Sequence, residues 1–551
     1  MERDDKIKKL DFAEEFLMES AEKRFEMGDY FGALTMLNRR AESFDPSADA
    51  SALYADIYEA LQIYPLCADA WFRFLDTCNE ADFVEGYEGL AVAFLNMGDE
   101  FQSKLYMRRT FDAEEIPYDD LFEKNERPHL RLVHSDDGSV EHAELLHEGL
   151  DHIRAGEFDK AKNAFNEIPP ESKEFPSATG LSAMCMLLEG NVDGAAGECE
   201  KLLEYYPENI HALTTYCAVL GAKGDKERAR EVGKRIAAIE IESVDDLFRA
   251  ATALCETGLD EEAYKKLCIL KNKVPYGDDI LWFHAVAAFR TGRLEEAIES
   301  LERLTTINPR KVIAKYYLIR MRELRDGEEG SLNLGYFYKM PEPEYKRIRE
   351  DFLAADQMLR EDADMLAMLP EMSDSYRMAF DQLDGRDGEL QSLAARVAVK
   401  CRADRFVREI LLDYNADEGI KLQILHDLVV RNEENSFGVV VCGFYREFFT
   451  HELNVEEDRL GIEFLNGFAE VYSKYALLGE ENEEKLIAAA EDVYEALERA
   501  NAPEVAEERM EIAAVIYRQA RMRNSERSIE RISKLFDANL RVVKHILDLI
   551  M

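Results

Sequence analysis

Five glycines recur at a fixed interval in this chain: Gly156, Gly190, Gly224, Gly258 and Gly292, each 34 residues from the next (190−156, 224−190, 258−224, 292−258). Five residues after each stands an alanine (Ala161, Ala195, Ala229, Ala263, Ala297), and seven before each stands a small or slim residue (Gly149, Ala183, Cys217, Ala251, Ala285). Pro207, Pro275 and Pro309 follow three of the glycines after 17 residues (207−190, 275−258, 309−292). Each slot has a physical reason. A glycine at a helix end takes the left-handed conformation that lets the chain reverse. An Asp or Asn beside it, such as Asp225 or Asn191, caps the next helix. Small residues where helices cross allow the axes to approach to about 8–10 Å, and proline cannot continue a helix. Each stretch is therefore expected to be an antiparallel helix pair that buries little alone and must stack on its neighbours.

The pattern extends upstream less regularly. Gly28 is followed by Ala33 and preceded by Ala21; Gly98 is followed by Ser103 and preceded by Ala91. The spacing of 70 residues (98−28) fits two repeats plus two residues, with Ala55 and Ala68 in the small slots of a degenerate repeat whose turn is expected near Pro65. Residues 1–111 thus read as an N-terminal block of three repeats. Residues 112–140 break the period with acidic residues, two prolines and "DDGS", and read as an acidic linker. Residues 141–325 hold the main array, five repeats closed by a capping helix at "VIAKYYLIRMREL". Residues 326–450 open with the Gly/Pro-bearing loop "GEEGSLNLGYFYKMPEPEY" and continue as helices without a fixed period. Within them "SFGVVVCGFYREFF", residues 436–449, suits either a short strand or a buried helix. Residues 451–551 form a C-terminal helical domain.

The period and the Gly/Ala/Pro slots resemble the tetratricopeptide repeat (TPR) family across residues 142–310, although Leu145, Leu213, Leu247 and Leu281 fill the slot that the family usually gives to Trp. The resemblance implies an all-α fold, a solenoid of TPR hairpins followed by an irregular helical C-terminal domain. It also implies a groove lined by the first helices that holds a protein or peptide without catalysis. Counted from the repeat register, its lining includes His211, Thr214, Phe248, Thr252, Cys255, Trp282, Val286 and Arg290. The family's carboxylate clamp is not carried over, because Leu146, Leu150 and Met184 stand where polar residues are needed.

Charge narrows the partners. With 68 basic against 113 acidic residues, a net of −45, the surface as a whole repels phosphate backbones and anionic membranes. Nine cysteines, an odd number without a CxxC pair, exclude a full disulfide framework and suit a reducing compartment. "MERDDKIKKLDF" lacks the apolar core of a secretory signal, and no apolar run approaches the ~18 residues of a bilayer span. The expectation is a cytoplasmic protein with no membrane contact.

Sites of chemistry are not evident. His142, His147 and His152 recur at five-residue spacing and fan around a helix, whereas zinc-binding helices use i and i+4. They read as structural or solvated histidines, and neither a metal nor a cofactor is expected. No phosphate loop, dinucleotide-binding turn or nucleophile elbow is present, so the chain is not expected to be an enzyme.

One rival reading comes from the C-terminus. "ERSIERISKLFDANLRVVKHILDLI" is weakly similar to a helix-turn-helix, with the turn at "FDAN". Arg521, Arg523, Arg527, Arg531, Lys534, Arg541 and Lys544 reverse the overall sign there and would face nucleic acid. The plainer reading is a terminal hairpin whose arginines pair with acidic surface.

Overall fold

The structure is a computed structural model that describes residues 2–113, 139–154, 156–328, 332–361, 372–381, 388–431, 436–441, 443–449, 462–477, 483–500, 502, 505, 508–522, 529–536 and 538–550. The expected linker over 112–140 lies almost entirely outside them, at residues 114–138. The chain is an all-α solenoid followed by irregular helices, and it divides into two compact units. A composite unit gathers residues Met1–Leu121, Thr306–Ile313 and Lys339–Met551; an array unit holds Phe122–Thr305 and Ala314–Tyr338.

The composite unit begins with three helix pairs: α1 (Glu2–Glu26) with α2 (Tyr30–Ser43), α3 (Ala48–Ala60) with α4 (Tyr64–Thr77), and α5 (Phe83–Asn96) with α6 (Glu100–Ala113). The first and third reverse at Gly28 and Gly98, with φ of 75° and 81°. The second reverses at Gln62, φ 59°, three residues earlier than the expected turn near Pro65, which instead opens α4. Gln62 lies 34 residues after Gly28 (62−28), so the repeat register is intact and the two extra residues fall between Gln62 and Gly98. Ala55 and Ala68 are both fully buried.

The array unit carries α7 (Ser139–Arg154), α8 (Phe158–Asn166), α9 (Phe175–Leu188), α10 (Val192–Tyr205), α11 (Ile210–Ala222) and α12 (Lys226–Ala238). It continues with α13 (Val244–Glu256), α14 (Asp260–Lys273), α15 (Asp278–Arg290), α16 (Leu294–Ile307) and α17 (Val312–Arg325). The five repeat glycines have φ between 68° and 80°. At each reversal the amide after the glycine bonds a carbonyl five residues back, as from Asn191 to Met186 at 2.8 Å and Arg293 to Ala288 at 2.8 Å. Asn191 and Asp225 cap α10 and α12 through their side chains.

All the small slots are buried. The nine that carry a side chain are at most 5% exposed, and a Cβ at Gly149 would lie 2.1 Å from the Phe165 ring. Small residues therefore sit where helices touch, which is why α11 packs on both α9 and α13. The capping helix is α17, and it too ends in a left-handed glycine, Gly327, φ 94°. Among the described residues no helix intervenes between Gly327 and Glu342; residues 332–338 run on without regular structure.

The remaining elements belong to the composite unit: α18 (Glu342–Glu361), α19 (Ser373–Phe380), α20 (Gly388–Lys400), α21 (Asp404–Leu412), α22 (Glu418–Arg431), β1 (Ser436–Val441) and β2 (Phe444–Phe449). The last are α23 (Ile462–Leu477), α24 (Glu483–Ala500), α25 (Arg509–Met522), α26 (Ile529–Phe536) and α27 (Leu540–Ile550). The run at 436–449 is neither a single strand nor a helix but an antiparallel hairpin, in register from Ser436 opposite Phe449 to Val441 opposite Phe444. Its β-branched and aromatic residues suit a pleated surface, and Gly443 supplies a positive φ at its turn. Helices α20 and α21 reverse at Arg402, φ 56°, with Ala395 seven before and Val407 five after both fully buried. This is the repeat geometry again, without the glycine that would advertise it.

Candidate functional site: the aromatic face of the first helices

On α13, α15 and α17 the repeat register sends side chains of successive first helices toward one another. Phe248 of α13 meets Phe283 of α15 edge-on at 6.0 Å between ring centres, and Trp282 of α15 meets Tyr317 of α17 at 5.7 Å. Such aromatic pairs add about 0.5–1.5 kcal/mol beyond the area they bury. The face they build is covered by the chain's own residues 332–338.

The burial of that segment alternates with period two, although the chain bends at Tyr336 and Phe337. Leu332, Leu334, Tyr336 and Tyr338 are turned in, Leu334 being 3% exposed, while Asn333, Gly335 and Phe337 point out, Phe337 being 81% exposed. The Trp282 indole N–H donates to the Tyr336 carbonyl at 2.8 Å. The Tyr336 ring stacks on Phe283 at 5.8 Å, its hydroxyl donates to Asp260 at 2.8 Å, and the Arg290 guanidinium lies 5.3 Å from its centre. Arg290 also donates to Asp260 at 3.1 Å, so one carboxylate fixes both the cation and the phenol. The Tyr338 ring packs edge-on against Trp282 at 4.7 Å, and its hydroxyl accepts the Ala314 amide at 3.2 Å. Burial pushes the Tyr336 phenol far above its usual range and the Cys255 thiol up to about 12, so both stay protonated and neutral.

The structure thus brings Phe248, Cys255, Trp282 and Arg290 of the expected lining to one place. The other four stand differently. Val286 is fully buried. Thr214 and Thr252 donate to carbonyls of their own helix, those of Ile210 and Phe248, at 2.9 and 3.0 Å. His211 faces Asp246 at 3.1 Å. Tyr336, Tyr338, Phe283 and Asp260 escaped the sequence reading. The available signal was apolar alternation in "LNLGYFY", a strand-like period inside a loop that has no strand to pair with.

One buried cluster has the residue types of a nucleophilic site. Lys271 donates to the Ser300 hydroxyl at 3.1 Å, and Ser300 lies 2.9 Å from His284 Nδ1, with Cys268 Sγ 3.6 Å from Nε2. Ser300 is fully buried and His284 is 1% exposed, so no substrate carbonyl reaches the hydroxyl. Burial lowers the His284 pKa to about 4, leaving a neutral imidazole that joins α14, α15 and α16. Among the described residues no group of three or more His, Cys, Asp or Glu is placed to hold a metal ion. His152 instead lies 2.9 Å from Glu157 and 3.7 Å from Glu148. Among the described residues no helix is long and apolar enough to cross a membrane.

At the C-terminus α25, α26 and α27 share a core that includes Ile512, Phe536, Val543 and Ile546. Ser533 is 3% exposed and donates to the Ile529 carbonyl at 2.9 Å, while the Glu511 carboxylate accepts the Asn539 amide at 2.7 Å. Arg541 and Lys544 are exposed on α27. Arg523 and Arg527 lie outside the described residues, as do the side chains of Arg521, Arg531 and Lys534.

No family model matches the chain, and no curated protein matches it. Solved structures do. A tetratricopeptide repeat protein from Parabacteroides merdae is 13% identical, covering 52% of this chain and 99% of its own at a TM-score of 0.28. A MamA protein is 18% identical over 31% of this chain and 98% of its own, at 0.24. A human IFIT1 dimer with PPP-AAAA is 12% identical over 73% and 93%, at 0.25. Scores this low add no weight on function or partner. The TPR fold rests on the chain's own register, left-handed glycines and buried small slots.

Proposed function

We propose that this chain is a non-catalytic, cytoplasmic TPR scaffold that holds a segment of a partner protein against the first helices of its array. The observation that carries this reading is the course of residues 332–338 over Trp282, Phe283 and Arg290, in which the face already makes backbone and side-chain contacts with a non-helical stretch of chain. A ready-made face loses little entropy on binding, so modest contacts suffice for useful affinity. The test is crosslinking capture with the full chain against the Phe248→Ala, Trp282→Ala double variant. Partners that depend on the face are expected to be lost from the variant, and an identical set from both proteins would refute the reading.

A second reading keeps nucleic acid as a partner through α26 and α27, supported by the exposed Arg541 and Lys544. It predicts binding of the full chain to duplex DNA that weakens steeply with salt and further in Arg541→Glu with Lys544→Glu. Absence of binding at low salt removes it.

A further inference from the structure

The register explains why residues 332–338 are unusual. Every earlier repeat of the array answers its left-handed glycine with a second helix; among the described residues after Gly327, the chain supplies a non-helical stretch over 332–338 instead. A second helix would bury its apolar side against its own partner helix. This stretch lays Tyr336 and Tyr338 on the face of other repeats, touching α13, α15 and the start of α14, and buries Leu334.

Its hold is incomplete. Tyr336 and Tyr338 are only half-buried, and Phe337 projects into solvent. The polar contacts that anchor it, those of Trp282, Asp260, Cys255 and Ala314, are of kinds any tyrosine-bearing peptide can make. The indole reads a backbone carbonyl, and the carboxylate and amide read phenolic hydroxyls. None requires that the peptide belong to this chain.

Resting on the scaffold reading above, we propose that residues 332–338 are an intramolecular competitor for the array's peptide site, and that the site's ligand in trans is a peptide with leucine or tyrosine at every second position. The chemistry is set by the face. Phe283 and Trp282 demand flat side chains two residues apart, Asp260 favours a phenol hydroxyl over phenylalanine, and Arg290 favours an electron-rich ring. A short tether supplies its segment at an effective concentration on the order of 1 mM. If the segment alone binds at roughly 100 μM, the face is closed about ten to one and an incoming peptide binds about tenfold more weakly than to an open face.

The experiment uses the full chain and a fluorescein-labelled synthetic peptide of residues 332–340, LNLGYFYKM, followed by anisotropy. Its expected result is binding at least about fivefold tighter to the Leu334→Ser, Tyr336→Ser, Tyr338→Ser variant than to the wild type. That binding should vanish when Trp282→Ala is added, or when the peptide carries alanine at its own leucine and tyrosine positions. Tyr336→Phe keeps the stacking on Phe283 and loses only the hydroxyl's bonds to Asp260 and Cys255, so it should bind with intermediate affinity and covers the case in which the triple variant does not fold. Equal affinity for wild type and both variants would show that nothing competes in cis and would overturn the proposal. No binding to any form would overturn it too, while capture that depends on Phe248 and Trp282 would leave the scaffold reading standing.

Discussion

The array unit and the composite unit use the same helical hairpin and both bury apolar cores, but they differ in what joins stretches far apart in sequence. In the array, neighbouring repeats meet through alanine and leucine: Ala251, Leu254, Ala263 and Leu267 belong to one apolar cluster. In the composite unit, distant stretches are also joined by partly buried charge. Arg310 donates to Asp69 at 2.9 Å and to Asp413 at 3.0 Å, uniting residues 241 and 103 positions away. Arg377 grips Glu409 through two hydrogen bonds of 2.9 and 2.7 Å. Burial works against both charges. The carboxylates nevertheless raise the Arg310 pKa above its ordinary value, and Arg377, Arg73 and Arg310 hold Glu409 below the usual carboxylate range. Short-range stacking tolerates purely apolar contacts because the covalent period brings partners together. Long-range assembly adds directional pairs to its aromatic contacts, a role for which partly buried ions are suited even where they add little stability.

Each unit contains one of the chain's two tryptophans, Trp71 in the composite unit and Trp282 in the array. Denaturation of Trp71→Phe and Trp282→Phe backgrounds therefore follows each unit separately. The largest effect is expected from Arg310→Ala, which strands Asp69 and Asp413. It should cost the composite unit about 3 kcal/mol, with little change in the array; equal losses in both would erase the contrast.

Acid should act on the array through His284. Its folded pKa of about 4 lies below the ordinary histidine value of 6.5, so the unfolded chain binds the extra proton first. Stability is expected to fall as the pH drops from 6.5 to 4 and to lose about 3 kcal/mol in all. His284→Gln should remove that slope in the Trp282 signal. Ala251→Leu overfills a small slot and should destabilise the array by about 1–3 kcal/mol, leaving the Trp71 transition in place. The smallest effect runs the other way. Gln62→Gly or Arg402→Gly relieves a left-handed turn and should stabilise the composite unit by about 0.5–1 kcal/mol, whereas Gly258→Ala should destabilise the array by a similar amount.

The same contrast explains what could be read in advance. Gly156 to Gly292 announce their turns because glycine meets left-handed geometry at no steric cost, so the array was legible almost residue by residue. Gln62 and Arg402 make the same reversal under no such label, which displaced one turn to Pro65 and left α20 and α21 without a register. The lining of the face was half legible. Trp282, Arg290, Cys255 and Phe248 followed from position within the repeat, but Tyr336 and Tyr338 reach it from outside the period. Arg310 and Asp69 carry no signal in a single sequence, since charged residues abound in this chain and their pairing spans hundreds of positions.

The most direct test of the covered face is the Trp282 indole proton. In full-length protein labelled with 15N-tryptophan, only two indole signals exist, and Trp71→Phe identifies the one from Trp282. A slowly exchanging Trp282 indole that becomes fast-exchanging in Leu334→Ser, Tyr336→Ser, Tyr338→Ser is the expected result. An indole that exchanges freely in the wild type, or is equally protected in both, would contradict the occupation of the face by residues 332–338.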